Sequence, residues 1–251
     1  MKRKTAVLAA VIVAVLLAGC GRDAAEDILA QQIILENHDA FLVPTGGKLG
    51  TLMVTADIGG WEELMLPVTF SVWRTDDLTT PIQEMISDTH NPHHSQIVDA
   101  NFDGYKDFCY IYNDWEWHSG YEYVNSSYHC YWHYWIWDEE QGQFVAVPEF
   151  DEISCPKFDS KRGIISGYGK DIREAGPAKT YTFHQWIDGK LTCIRRVATE
   201  PWADGETKRV TITVEEPVNG ELTEVFRQDY GLRASNREIK KWRDLDYHGE
   251  T

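Results

Sequence analysis

Asp99-Ala100-Asn101-Phe102-Asp103-Gly104-Tyr105-Lys106-Asp107 is the stretch from which the rest of the chain is read. With Asp99 as position 1, acidic or amide side chains stand at positions 1, 3, 5 and 9. Alternate residues of a tight loop converge on one point, so this spacing supplies the oxygen cage that a hard divalent cation requires. Gly104, at position 6, permits the sharp turn that brings in the backbone carbonyl of Tyr105 at position 7. Ca2+ is the expected ion. The alternative is an acidic hairpin turn held by the hydrogen bonds that Asp and Asn side chains make to their own backbone without metal.

Working outward, strand-like residues 95–98 lead into the loop and 108–112 lead out of it, so the loop joins two strands as a clamped hairpin. A polar, aromatic-rich loop over 113–127 follows, then a strand over 128–137, a turn at 138–143 and a strand at 144–147. Upstream, after the turn signal Pro44-Thr45-Gly46-Gly47, strands are predicted at 49–55, 66–74 and 81–87. In the second of these, Val68, Phe70 and Val72 alternate with Thr69, Ser71 and Trp73, the period of a half-buried strand. Downstream, strands are predicted at 163–168, 180–187, 191–197, 208–215 and 222–227. Asp188-Gly189 and Asn219-Gly220 read as two-residue hairpin turns, whose residues tolerate positive φ. Ser235-Asn236-Arg237-Glu238 reads as a capping box opening a short helix with Ile239 and Trp242 on one side. Many short strands joined by turns predict an all-β fold of the sandwich, barrel or propeller kind. No repeat is strict enough to fix a blade number.

The N-terminus carries an address. Lys2, Arg3 and Lys4 precede an apolar run over 5–16, and Leu17-Ala18-Gly19-Cys20 completes a lipoprotein-type signal peptide over 1–19. The apolar run is too short to span a bilayer. Cys20 is then the lipidated N-terminus, carrying diacylglycerol and an amide-linked acyl chain such as palmitate by resemblance to bacterial lipoproteins. Several acyl chains anchor durably where one does not. Residues 20–36 form the anchor and tether, and 37–251 the all-β domain, long enough for one large β domain or two small ones. The expected location is the bacterial cell envelope, membrane-anchored on the extracytoplasmic side.

The chain of 251 residues has 24 Lys+Arg against 40 Asp+Glu, a formal charge of −16, and loss of the three basic residues of the signal takes it to −19. Such a balance argues against nucleic acid as a partner. It suits either a solvated surface or attraction to basic proteins. Beyond Cys20 there are four cysteines, Cys109, Cys130, Cys155 and Cys193, which allow three connectivities in an oxidising compartment. Cys109 and Cys130 fall on strands expected to be neighbours and are the first pairing to test. Four buried free thiols are the alternative.

With these residues in view, the loop resembles the D-x-[DN]-x-D-G-x-x-D motif of FG-GAP and VCBS-type β-propeller repeats and, less closely, dockerin and EF-hand loops. It departs from an EF-hand at position 12, where Tyr110 stands instead of a bidentate Glu. The order of Trp137-Asp138, Gly142-Gln143-Phe144, Phe158-Asp159-Ser160-Lys161, Ile164-Ile165-Ser166 and Trp186-Ile187-Asp188-Gly189-Lys190-Leu191 is similar to a family of bacterial envelope proteins. These are built as incomplete, calcium-bearing β-propellers, at least one of which inhibits lysozyme. The resemblance covers roughly residues 96–197. It implies Asp99, Asn101, Asp103 and Asp107 as side-chain ligands of Ca2+, with Tyr105 giving its carbonyl. It also implies a binding or inhibitory module toward a lysozyme-like protein, although no matching set of inhibitory residues is found.

Trp115, Trp117, Tyr121 and Tyr123 lie in the polar loop and are the candidates for stacking on a glycan or anchoring a protein partner; folding back as a lid is the plainer alternative. A glycan- or cell-wall-binding lipoprotein is therefore the second functional reading. The third is an enzyme: a metal-dependent hydrolase resting on His90, His93 and His94 near Asp88, or a glycosidase whose carboxylates come from pairs such as Glu62-Glu63, Asp76-Asp77, Asp138-Glu139-Glu140 and Glu215-Glu216, which so acidic a chain also yields by chance. Pro92 disfavours a helix that would place two of the histidines on one face, and no phosphate loop, nucleophile elbow or H-E-x-x-H is present. A binding protein without catalytic residues is the expectation.

Overall fold

The computed structural model describes residues 40–57, 68–87, 92–112, 131–205 and 207–249. The signal peptide, Cys20, the tether, Glu62-Glu63, His90, Cys130 and the aromatic loop with Trp115, Trp117, Tyr121 and Tyr123 lie outside the described residues. Those described form an all-β fold of three antiparallel sheets with one short C-terminal helix. No described helix is long and apolar enough to cross a membrane.

The first sheet runs β1 (Ala40–Pro44), β2 (Thr51–Asp57), β3 (Val68–Arg74), β4 (Gln83–Ser87), each strand beside its neighbour in sequence. The expected alternation in β3 holds: Val68, Phe70 and Val72 are buried. In β2 the consecutive Leu52, Met53 and Val54 are all buried, as in a strand covered on both faces. β1 went unread in the sequence because its five residues carry no alternation, burying only Ala40 and Val43. The second four-stranded sheet is β5 (Pro92–Val98), β6 (Asp107–Tyr112), β7 (Tyr131–Asp138), β8 (Gln143–Ala146), again in chain order. β5 begins at Pro92, so His93 and His94 belong to a strand and not to a helix, as Pro92 implied.

The third sheet has six strands: β9 (Lys157–Asp159), β10 (Ile164–Arg173), β11 (Gly176–Ile187), β12 (Lys190–Asp204), β13 (Thr207–Val218) and β14 (Glu221–Gly231). They lie in the order β14-β13-β12-β11-β10-β9. Asp188 and Gly189 have φ of 49° and 74°, Asn219 and Gly220 of 55° and 87°. The pairs Ile187↔Lys190 and Val218↔Glu221 close both turns as two-residue hairpins, as the sequence predicts. The strands run longer than expected, through three prolines. At Pro177, Pro201 and Pro217 each strand pairs with one neighbour only, so the missing N–H removes no bond from a two-sided ladder.

Helix α1 (Leu232–Trp242) follows β14 directly. It starts three residues before the expected capping box: Gly231 is the N-cap, and Ser235 lies inside the helix, where its hydroxyl donates to the Leu232 carbonyl at 2.8 Å. That back-bond satisfies a buried hydroxyl and leaves it no role as a cap. Ile239 and Trp242 do face inward, packed with Val197, Val210, Ile212 and Val214 of the sheet.

By packing, the chain divides into two compact units. One gathers the described residues through Asp99 with Asp103–Phe108 and Trp135–Val145; the other gathers Ala100–Phe102, the described part of Cys109–Tyr134 and the chain from Ala146. The first is centred on rings: Phe108 lies 5.2 Å from Phe70, 5.8 Å from Phe41 and 5.9 Å from Trp135. In the second, Phe150 of a 3-10 turn (Pro148–Glu152) stacks on Tyr134 at 4.0 Å, and the Trp186 indole donates to the Ala100 carbonyl at 3.0 Å.

Candidate metal centre

The loop 99–107 is described in full. Its backbone turns at two positive-φ residues, Phe102 at 62° and Gly104 at 94°. The turn at Gly104 is the one the spacing demands. Phe102 adopts the left-handed conformation without glycine's freedom, which the sequence does not disclose. Gly104 N–H donates to Asp99 Oδ2 at 3.1 Å and Tyr105 N–H to Asp103 Oδ1 at 2.8 Å. These fix both carboxylates against the loop. They are also the bonds of an acidic turn that needs no metal.

Two observations bear on whether the loop suits a cation. The second oxygen of Asp99, Oδ1, is buried and has no hydrogen-bond partner, which is costly for a carboxylate oxygen unless something else compensates it. The candidate donors along the loop are all oxygens by type, the set that calcium prefers to softer metals. Against this, no three or more His, Cys, Asp or Glu among the described residues are gathered as a metal-holding group. By donor type the loop suits calcium: Asp99, Asn101, Asp103, Asp107 and the Tyr105 carbonyl are the oxygens that would hold it, and the ion would supply the positive charge that draws the carboxylates together.

Asp107 has a structural task of its own. It is fully buried and accepts the Trp137 N–H at 2.8 Å, tying the end of the loop to β7. Asp107→Ala is expected to cost about 1.5–3 kcal/mol even in chelator, because it strands that N–H, whereas Asp107→Asn keeps an acceptor and costs under about 1 kcal/mol. Urea unfolding of the two variants tests this, and equal losses would refute it.

The remaining candidates disperse. Cys109 is a buried thiol on β6 outside any disulfide, so the expected Cys109–Cys130 pairing is not formed, and Cys155 is the disulfide-bonded cysteine among those described. Adjacency of predicted strands was too coarse a guide: a disulfide needs matched Cβ directions as well as proximity. The described acidic pairs are structural. Arg74 holds Asp76 through two bonds of 2.8 Å, and Asp77 takes the Thr79 N–H and hydroxyl. Asp138 caps its turn through the N–H groups of Gln141 and Glu140, which hold its carboxyl below the usual range. Glu139 accepts from the Lys48 N–H at 2.9 Å and from the Trp137 indole at 2.9 Å. Its carboxylate fills the space where a side chain at Gly47 would begin.

Glu215 and Glu216 are claimed by Arg196 and Arg195. The Arg196–Glu215 pair, at 3.1 Å, is partly exposed. Arg195 is only 2 % exposed. Its guanidinium binds Glu216 at 2.5 Å, donates to the Asp244 carbonyl at 2.7 Å and the Trp242 carbonyl at 3.2 Å, and lies 5.8 Å over the Trp242 ring. His248 Nδ1 lies 3.4 Å away. One side chain thereby fastens the end of α1 and the following segment to the sheet. Its signal was present as Arg195-Arg196 and Glu215-Glu216, complementary dipeptides on strands predicted in succession.

Two histidines were also missed. His133 Nδ1 lies 2.9 Å from Asp151 Oδ1. His184 on β11 is 7 % exposed and its Nε2 has no hydrogen-bond partner. Burial, with Arg196 nearby, pushes its pKa down to about 4.

No protein-family model matches the sequence, and the comparison with curated proteins finds no relative. Among solved structures the chain is similar to a Xanthomonas type IV secretion system related protein, at 13 % identity and a TM-score of 0.44, over 74 % of this chain and 93 % of that one.

Proposed function

We propose that this chain is a lipid-anchored, extracytoplasmic binding protein whose all-β fold is stabilised by Ca2+ at the 99–107 loop. The observation that carries the reading is Asp99: one carboxylate oxygen is fixed by the Gly104 N–H while the other is buried without a partner, in a loop of oxygen donors bent at Gly104. A propeller-like arrangement is supported by two four-stranded sheets whose strands neighbour one another in chain order, the connectivity of a blade. The acidic balance favours a basic protein as partner, and the resemblance to incomplete-propeller inhibitors suggests a lysozyme-like muramidase. Such binding weakens as salt rises. Glycan binding through Trp115 and Trp117 would be insensitive to salt and lost in Trp115→Ala or Trp117→Ala.

The first test is a thermal melt in chelator and in calcium, magnesium or zinc. With a Kd of about 0.1–1 mM, as in extracellular modules, about 10 mM calcium stabilises by about 1.4–2.7 kcal/mol, a rise in Tm of about 3–10 °C. The rise should be calcium-selective and absent in Asp103→Ala. No shift with calcium would reduce the loop to an acidic turn. The anchor is tested separately by labelling cells with palmitate, where incorporation should vanish in Cys20→Ser.

A further inference from the structure

Where β11, β12 and β13 meet α1, the second unit carries an open cleft of about 240 Å3. Pro177, Pro201, Val210 and Ile239 line it with apolar surface, and Lys179 and Lys208 are its charged lining residues. Among the described residues no carboxylate lines it, in a chain whose acidic residues outnumber the basic ones by 16. Six described cationic side chains, Arg74, Arg173, Arg195, Arg196, Arg227 and Lys241, have a carboxylate within 4 Å; Lys179 and Lys208 are among those that have none from the described residues, and they are the ones that line an apolar cleft.

We infer that this cavity binds a small organic anion, a free carboxylate carrying a compact apolar body. An apolar cavity of about 150 Å3 accommodates benzene, so this volume admits a ring with a short carboxylate arm. Pro201, Val210 and Ile239, all buried, give the ring an apolar wall to lie against. The two ammonium groups answer the carboxylate, and in so acidic a molecule they form a local island of positive potential that discriminates charge as well as shape. Polar groups at the rim of an apolar pocket commonly set ligand orientation in this way. Nothing in this site depends on calcium, since no residue of the 99–107 loop lines the cavity.

The test is titration of the full chain, in detergent, with phenylacetate and with neutral phenylacetamide, followed by calorimetry and by amide chemical shifts of residues 175–179, 199–210 and 232–239. Phenylacetate should bind at least about tenfold more tightly than phenylacetamide, since a charge-assisted contact is about twice as strong as a neutral one. Binding should weaken about five- to tenfold in Lys179→Met and in Lys208→Met, with melting temperature unchanged, and should fall as salt rises. Asn236→Trp, which fills the cavity from the helix, should abolish it. Equal binding of acid and amide, retention in the lysine variants, or no saturable binding of phenylacetate would each overturn the inference.

Discussion

Arg195→Ala is expected to lower stability by about 3–5 kcal/mol, the range for breaking a buried ion pair from one side. For a chain of this size that is a fall in Tm on the order of 10 °C. The loss has three sources. Glu216 keeps its charge without its partner, the carbonyls of Trp242 and Asp244 lose their donors, and Trp242 loses the cation over its ring. Arg195→Lys should recover only part of this, because an ammonium cannot reach a carboxylate and two carbonyls with one planar fork. Arg195→Met paired with Glu216→Leu should be milder than Arg195→Ala alone, since it removes the buried charge together with its partly exposed partner. Equilibrium urea unfolding of the four proteins decides the matter, and a loss below about 1 kcal/mol in Arg195→Ala would mean that the clamp is dispensable. Arg196→Ala provides the contrast: its pair with Glu215 is half-exposed and should be worth under about 1 kcal/mol.

The second large effect is a loss of stability in mild acid carried by His184. Its folded pKa of about 4 lies below the ordinary histidine value of 6.5, so the unfolded chain binds the proton more readily. Stability from this group is therefore complete above about pH 6.5 and declines as the pH falls toward 4. Over that window the cost approaches roughly 3 kcal/mol, because each tenfold difference in proton affinity is worth about 1.4 kcal/mol. The cause is burial first, then the positive Arg196; Cys193, the residue opposite on β12, is a half-buried thiol whose own pKa is raised by desolvation and offers no counter-charge. Carboxylates also titrate below about pH 5, so the informative quantity is the difference between the wild type and His184→Leu. That difference should shift by roughly 2.5 kcal/mol in favour of the variant between about pH 7.5 and 4.5. Parallel pH profiles would refute it.

Both effects rest on groups that the sequence did not single out, and the reason is the same in each case. Arg195 is buried where the end of α1 comes back onto the sheet, and His184 lies between its strand partners Ile165 and Cys193; alternation along the chain discloses neither. The candidate loop is the reverse case. The spacing Asp99, Asn101, Asp103, Asp107 and the glycine at 104 are local facts, so the turn at Gly104 could be read at once. The tie from Asp107 to Trp137 spans 30 residues and could not. The cysteines failed for a related reason: Cys109 was assigned a partner by strand order, whereas a disulfide depends on side-chain direction across the completed fold.

By itself the sequence determined that the chain is all-β, where most strands lie, the hairpins at Asp188-Gly189 and Asn219-Gly220, and the inward side of the terminal helix. Alternation, turn residues and helical spacing are short-range properties, expressed wherever the chain goes. Tertiary structure alone decided that β11 to β13 run through Pro177, Pro201 and Pro217, that α1 begins at Leu232, and that Arg195 is buried. It also decided that Lys179 and Lys208 share a cavity with apolar walls. Each of these depends on which neighbour occupies the other side of a strand: a proline is harmless where no second strand needs its N–H, and a charge can be buried only where distant oxygens converge to receive it.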